Sequence, residues 1–384
     1  MQTVFQMDHD STGAKNVTQG FGKKGPHRLK PEDLGYTGEL EKYREENHLL
    51  DLETGRVVAE HRERYLVRTT EGEYEAEITG NMRYTAESRE DFPAVGDWVA
   101  LQIYGPGSAI IHHVFPRFSV LKRQAAGKPG EIQVLAANVD TAFLVQSVDR
   151  DFNLNRLERY LTLCHASGVS PVILLSKVDL IDRSRLDEMI RILQARITHV
   201  PVLPISNETQ EGYSSLQKMI KKGKTYCMLG SSGVGKSTLL NHLSGKNLMR
   251  TGGISRSTGK GRHVTSHREL ILLDQGGILI DNPGMREVGM ADTGNGLEVT
   301  FDRIYALARH CRYRDCTHTR EAGCAVLRAV ENGEIDTATY DNFLKMEKEK
   351  THFESTMAER RRKEKMLGKI IRDYHKKDIK RKKH

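Results

Sequence analysis

The chain has 384 residues, 38% apolar and 29% charged, which suits a globular protein of two or three domains with cores of their own. No stretch approaches the roughly 18 consecutive apolar residues of a membrane span, and the polar start "MQTVFQMDHD" lacks a secretory signal's apolar region, so a cytoplasmic protein with no membrane partner is expected. The net charge of +8 is concentrated at one end, because residues 345–384 hold 16 Lys/Arg against 7 Asp/Glu and the rest is close to neutral.

Residues 1–50 form an N-terminal extension whose first ~30 residues show no periodicity and read as disordered. Within it, "GELEKYREENHLLDLE" reads as a helix. Residues 51–118 change to short alternating strands. "EYEAEITG" sets Tyr74, Ala76 and Ile78 on one face, and "GDWVALQI" sets Val99, Leu101 and Ile103 on one face after a Gly96-Asp97 turn. Strands of this length and spacing predict a small β-barrel or sandwich. Residues 119–297 alternate strand and helix: "TAFLVQSV", "NLNRLERYLTLCHASG" and "PVILLSKVDL" read as strand, helix, strand, the pattern of a doubly wound, mostly parallel sheet. Residues 298–345 are helical around a cysteine cluster, and residues 346–384 continue as a basic helical tail. That tail is either a solvated charged helix or a nucleic-acid contact. Cys164 and Cys227 sit in apolar-rich segments and are expected to be core thiols.

The strand–helix stretch carries a phosphate-binding pattern. "GSSGVGKST" (Gly230, Ser231, Ser232, Gly233, Val234, Gly235, Lys236, Ser237, Thr238) fits G-x-x-x-x-G-K-[ST], with an apolar strand before it and a helix after. The glycines let backbone N–H groups turn toward a β-phosphate at a helix N-terminus, Lys236 reaches the β- and γ-phosphates, and Ser237 binds Mg²⁺. Downstream, "LILIDNPG" is an apolar strand ending in D-x-x-G. Asp281 is expected to hold Mg²⁺ through water and the Gly284 N–H to contact the γ-phosphate. Between them, "GRHVT" offers Thr265 as the switch threonine that completes the Mg²⁺ shell.

Base choice lies upstream. "LLSKVDL" matches the guanine-reading N-K-x-D pattern at a strand end, with Ser176, Lys177, Val178 and Asp179 in its four positions. The Asp179 carboxylate can accept from guanine N1–H and N2–H₂, whereas adenine would turn an acceptor toward it, so the site favours GTP and GDP. The stem of Lys177 would lie along the base. Ser176 stands where Asn is usual, and its shorter hydroxyl lacks the amide's two-sided hydrogen bonding, which bears on affinity more than on specificity. "LPISNET" adds Ser206 and the Asn207 backbone N–H near guanine O6. In an ordinary GTPase the phosphate loop comes first; here base reading precedes it. One sheet has been circularly permuted, which a fold with neighbouring termini tolerates.

"CRYRDCTHTREAGC" brings Cys311, Cys316, His318 and Cys324 together as C-x₄-C-x-H-x₅-C, four ligands of the kind a closed, structural Zn²⁺ site uses. D-x-x-G ends 27 residues before Cys311, so movement at Gly284 would pass directly to this unit.

The permuted order, the N-terminal strands, "GRHVT" and the Cys/His cluster together resemble the ribosome small-subunit-dependent GTPase A (RsgA-type) family over roughly residues 51–345. The resemblance implies a multidomain α/β chain: a circularly permuted P-loop GTPase domain, an N-terminal OB-fold β-barrel that binds RNA, and a C-terminal zinc-binding helical domain with one structural Zn²⁺ on those four residues. It further implies a monomer that uses GTP and Mg²⁺, contacts the small ribosomal subunit and its rRNA late in maturation, and has a weak GTPase that the subunit stimulates. Many GTPases place a water-orienting Gln after D-x-x-G. Met285 stands there and cannot polarise water, so His263 is the family's candidate substitute, the alternative being that it packs the switch. Two rivals stay open: an RNA-binding assembly module with little turnover, and an ATPase acting on DNA, against which Asp179 argues.

Overall fold

The computed structural model describes residues 29–61, 64–125, 131–149, 151–245, 268–281 and 293–381. A 3₁₀ turn at Pro31–Leu34 and helix α1 (Gly38–Glu46) precede five strands: β1 (Glu53–His61), β2 (Arg64–Arg68), β3 (Glu73–Ile78), β4 (Trp98–Gly105) and β5 (Ser108–Val114), with α2 (Gly80–Thr85) between β3 and β4. They pair in the order β1-β2-β3-β5-β4, and β4 returns to β1, which closes a barrel with β3 and β5 parallel. This is the Greek-key closure of an OB-fold, and it leaves no free edge inside the barrel.

The barrel interior follows the predicted alternation. Ala76 and Ile78 of β3 meet Val57, Val67, Val99, Leu101 and Ile111, with Tyr74 half-buried at the margin. Ile103 departs from expectation: it lies beyond this core, near the β4–β5 turn, and is 36% exposed. The opposite face of β4 is buried too, which the alternation did not predict. Trp98 and Ala100 pack with Leu34 and Phe115 under Tyr36, Leu40 and Tyr43 of the extension. Residues 29–50 therefore supply a second layer for the barrel.

A buried arginine holds the barrel to the next unit. The Arg56 guanidinium donates to the carbonyls of Leu34 (2.5 Å), Gly96 (3.1 Å) and Asn138 (3.1 Å) and to Thr225 Oγ1 (2.9 Å). Burial lowers its pKa to about 10, so it keeps its charge at neutral pH. Gly96 is required in this junction, since its φ is +97° and a Cβ there would stand 2.1 Å from the Ala137 carbonyl oxygen.

A hairpin, β6 (Val120–Gln124) and β7 (Ile132–Ala137), leads into the second unit. Its elements are β8 (Thr141–Ser147), α3 (Leu154–Ala166), β9 (Ser170–Ser176), α4 (Arg183–Arg196), β10 (Val202–Pro204), α5 (Tyr213–Met219), β11 (Thr225–Leu229), α6 (Lys236–Ser244), β12 (Glu269–Leu272) and β13 (Ile278–Asp281). The strand order is β10-β9-β8-β11-β13-β12, parallel except for antiparallel β12. Both faces are covered, so the central strands are continuous apolar runs rather than alternating ones. Helix α3 shows how the covering forms: Asn153 Oδ1 caps the Arg156 N–H, Leu157, Tyr160, Leu161 and Cys164 bury one stripe, and Gly168 at φ +70° ends it. Cys164 and Cys227 are fully buried, as expected.

Ala59 of β1 pairs with Glu269 of β12, so barrel and permuted sheet form one eleven-stranded sheet. The last unit holds α7 (Gly296–Thr300), α8 (Asp302–Ala308), α9 (Ala325–Glu331) and α10 (Thr337–Arg381) around a small core of Leu297, Phe301, Ile304, Val326, Phe343 and Met346. Helix α10 is continuous through residue 345, and Phe353 is still buried. The unit clasps α3: Glu158 accepts both arms of Arg196 (2.7 Å each) and the Asn342 amide (2.5 Å), and Arg159 pairs with Glu349.

Candidate functional site

The phosphate-binding pattern spans the end of β11 and the start of α6. Gly230, Gly233 and Gly235 all have positive φ, a run of turns that glycine adopts without strain. A Cβ on Gly233 would meet nothing within 4 Å, so the loop keeps an open hollow there. The Lys236 Nζ lies over this loop, donating to the carbonyls of Gly230 (2.7 Å) and Ser231 (2.5 Å). Burial lowers its pKa to about 8, while Asp281 and Asp151 pull it back up. A half-buried ammonium held by carbonyl dipoles beside backbone N–H groups at a helix N-terminus fits a polyphosphate.

Asp281 closes β13, the neighbour of β11. Burial raises its carboxyl to about 6, with the Lys236 charge opposing the rise. A half-buried carboxylate coupled to Lys236, whose neighbour in the chain is the exposed Ser237, suits a divalent cation. Thr265, His263 and Gly284, the other expected residues of this half, lie outside the described residues.

The residues expected to read the base stand at the end of β9. Ser176 is fully buried, and its hydroxyl donates to the Val234 carbonyl (2.7 Å) in the phosphate loop. Lys177 takes the left-handed conformation (φ 62°, ψ 34°), uncommon for a side chain with a Cβ, and turns the chain out of the strand. Exposed Asp179 accepts from Ser206 Oγ (2.5 Å), and that hydroxyl in turn accepts from the Glu208 and Thr209 N–H groups.

Three features here were not readable in the sequence. The Asn207 side chain donates to the Gly235 carbonyl (3.0 Å), giving the phosphate loop a second tie to the base side. Its Oδ1 accepts from the Tyr213 hydroxyl (2.8 Å), which also lies 2.9 Å from His242 Nδ1 on α6. One phenol proton cannot serve both partners, so this arrangement takes His242 as the Nδ1–H donor. Finally, Lys177 Nζ stands 2.8 Å from Asp149 Oδ2 at the end of β8.

The cysteine cluster joins the α8 end to the α9 start. Cys311 Sγ is 3.8 Å from Cys324 Sγ, His318 Nδ1 is 3.6 and 3.5 Å from those sulfurs, and all four donor atoms, including Cys316, lie within 4.8 Å of one another. Tetrahedral zinc with ordinary bond lengths would set sulfur–sulfur edges of about 3.8 Å and sulfur–nitrogen edges of about 3.6 Å. Backbone N–H groups of Ala325 and Leu327 point at Cys311 and Cys324, and Tyr340 donates to the His318 carbonyl. The donor set and its supports fit zinc.

Comparison with known proteins is consistent with this geometry. A family model described as "RsgA GTPase" matches residues 114–291, and one described as "50S ribosome-binding GTPase" matches residues 225–363, beginning at the strand that enters the phosphate loop. The small ribosomal subunit biogenesis GTPase RsgA 1 of Bacteroides thetaiotaomicron is 39% identical over 344 residues, 89% of this chain and 96% of that protein. RsgA 2 of Lactiplantibacillus plantarum is 43% identical over 300 residues, 78% and 83% of the two chains. Among solved structures, YjeQ from Thermotoga maritima aligns with a TM-score of 0.58 and 28% identity, covering 78% of this chain and 98% of that one. YloQ, described as a circularly permuted GTPase, aligns at 0.57 and 26%, covering 79% and 96%.

Proposed function

Because this chain belongs to the RsgA GTPase family, we propose that its GTP hydrolysis serves assembly of the small ribosomal subunit, which it binds and whose presence stimulates turnover. The observation that supports this reading is the double tie of the phosphate loop to the base side, by Ser176 at the end of β9 and Asn207 after β10, which brings together two halves separated in the permuted chain.

In this reading Asp179, held by Ser206, selects guanine; Gly230 to Thr238 cradle the phosphates; and Lys236 meets their charge. Ser237 and Thr265, with Asp281 through water, would hold Mg²⁺. The metal, when bound, neutralises charge developing on the phosphate oxygens. Gly284 senses the γ-phosphate, and His263 orients the attacking water when the subunit is bound. Cys311, Cys316, His318 and Cys324 hold one structural zinc.

The proposed domains are a 1–50 extension, a 51–118 RNA-facing barrel, a 119–297 GTPase domain, a 298–345 zinc unit and a 346–384 basic tail on a monomeric, cytoplasmic protein. The β1–β12 pairing and the α3 clasp give the nucleotide site solid contacts to both flanking units. Co-sedimentation with small ribosomal subunits tests the proposal. Binding with a non-hydrolysable GTP analogue that weakens with GDP is expected; no binding in either state would refute it.

A further inference from the structure

The base-reading lysine has a partner outside every motif identified in the sequence. Lys177 is the residue at which β9 breaks into the left-handed region, so its backbone is fixed but its four-carbon stem is not. Asp149 lies on the neighbouring strand's exit, brought alongside by the parallel β8–β9 register that sets Ser147 opposite Ser176. One carboxylate oxygen is occupied on its own side: Oδ1 accepts from Ser147 Oγ (2.7 Å) and from the Asp151 N–H (3.0 Å). The turn after it is anchored as well, with Gln146 Nε2 on the Asp151 carbonyl (2.6 Å) and Arg156 on its carboxylate (2.9 Å). Oδ2 is thereby aimed at Lys177 Nζ, 2.8 Å away, and both side chains are 30% exposed.

We infer that Asp149 is a positioning residue for guanine-nucleotide binding, holding the Lys177 ammonium so that the lysine stem is already extended along the base position. The inference rests on the guanine reading of the β9 end. A lysine stem free in solution loses rotamer entropy when a ligand orders it; a stem pinned at its head has lost that freedom beforehand, and the ligand keeps the difference as affinity. Asp179 has the matching arrangement, since Ser206 orients its carboxylate as Asp149 orients Lys177. Burial disfavours the Asp149 carboxylate, but hydrogen bonds from Lys177, the Asp151 N–H and Ser147 outweigh that and hold it at about 2, so the pin persists throughout the working pH range.

The test uses the full chain and a fluorescent GDP, with release followed by stopped flow. Asp149→Asn, which keeps shape and loses charge, is expected to release the probe about tenfold faster, the effect of one charge-assisted hydrogen bond. KM for GTP should rise by a similar factor, with kcat changed far less, and Asp149→Glu should restore part of the loss. In a Lys177→Ala background the Asp149→Asn change should have no further effect. Thermal unfolding of the nucleotide-free variants controls for folding. Wild-type release from Asp149→Asn, or the same acceleration when Lys177 is already gone, overturns the inference alone. Competition by ATP as effective as by GTP in the unaltered protein would overturn the guanine reading and this inference with it.

Discussion

The Ser176 hydroxyl donates to the Val234 carbonyl across 58 positions of chain, joining the strand end proposed to read the base to the loop proposed to hold the phosphates. By sequence alone, the departure from Asn at this position weakens the site. The structure gives the reason it need not: the short hydroxyl reaches the loop because β9 and β11 flank β8 closely, and Asn207 supplies the amide that Ser176 lacks. Ser176→Ala and Asn207→Ala should each weaken GDP binding by roughly five- to tenfold, since the first takes the Ser176 donor from the Val234 carbonyl and the second cuts the loop's tie to Asn207, leaving the Gly235 carbonyl with the Leu239 N–H alone. Together they should cost more than either alone, as measured by calorimetric titration.

The acid on the metal side predicts a pH dependence. Asp281 ordinarily titrates near 3.8 and is raised by burial to about 6. A cation needs the ionised form, so below pH 6 each bound Mg²⁺ must displace a proton. Mg²⁺ affinity of the GDP complex should be flat above about pH 7 and fall toward tenfold per unit below 6. In Asp281→Asn that slope should vanish along with most of the affinity, which titration of Mg²⁺-dependent nucleotide fluorescence would read.

The unit holding the cysteines buries few large side chains, so its fold should depend on the metal. One zinc per chain is expected by elemental analysis. A strong chelator should remove most of the helicity of α8 and α9 while nucleotide binding persists, and Cys316→Ser should reproduce this without chelator.

Arg56 predicts a stability effect far from the nucleotide. Arg56→Met leaves the carbonyls of Leu34, Gly96 and Asn138 and the Thr225 hydroxyl short of a donor in a dry junction. The loss should be on the order of 3–5 kcal/mol in urea unfolding. Arg56→Lys should recover only part, because an ammonium cannot span four acceptors in different directions.

The motifs are legible because each is a short run with a fixed backbone role. Gly230 to Thr238 must turn and start a helix, and the strands of the permuted sheet are continuous apolar runs. Their order along the chain is enough to reveal the permutation. What the sequence hides are contacts set by topology. Nothing local in "SVDRD" marks Asp149 as a neighbour of Lys177; the β8–β9 register does. Ser176 reads as a weakened Asn because nothing local shows that Asn207, 31 residues on, shares its work. Burial on both faces of β4 is hidden likewise, since its second cover comes from the charged extension rather than from the barrel. The Glu158–Arg196–Asn342 clasp joins three helices whose charges read as ordinary surface pairs.

The proposed function turns on a slow GTPase that becomes fast on the small ribosomal subunit. Turnover of GTP by the purified full chain, alone and with small subunits, measures this without intermediaries, with ATP and large subunits as controls. Little hydrolysis is expected from the chain alone, with strong stimulation confined to GTP and to small subunits and lost in His263→Ala. Equal turnover with and without small subunits, by a protein that still binds GTP, would contradict the proposal and leave a nucleotide-regulated RNA-binding factor in its place.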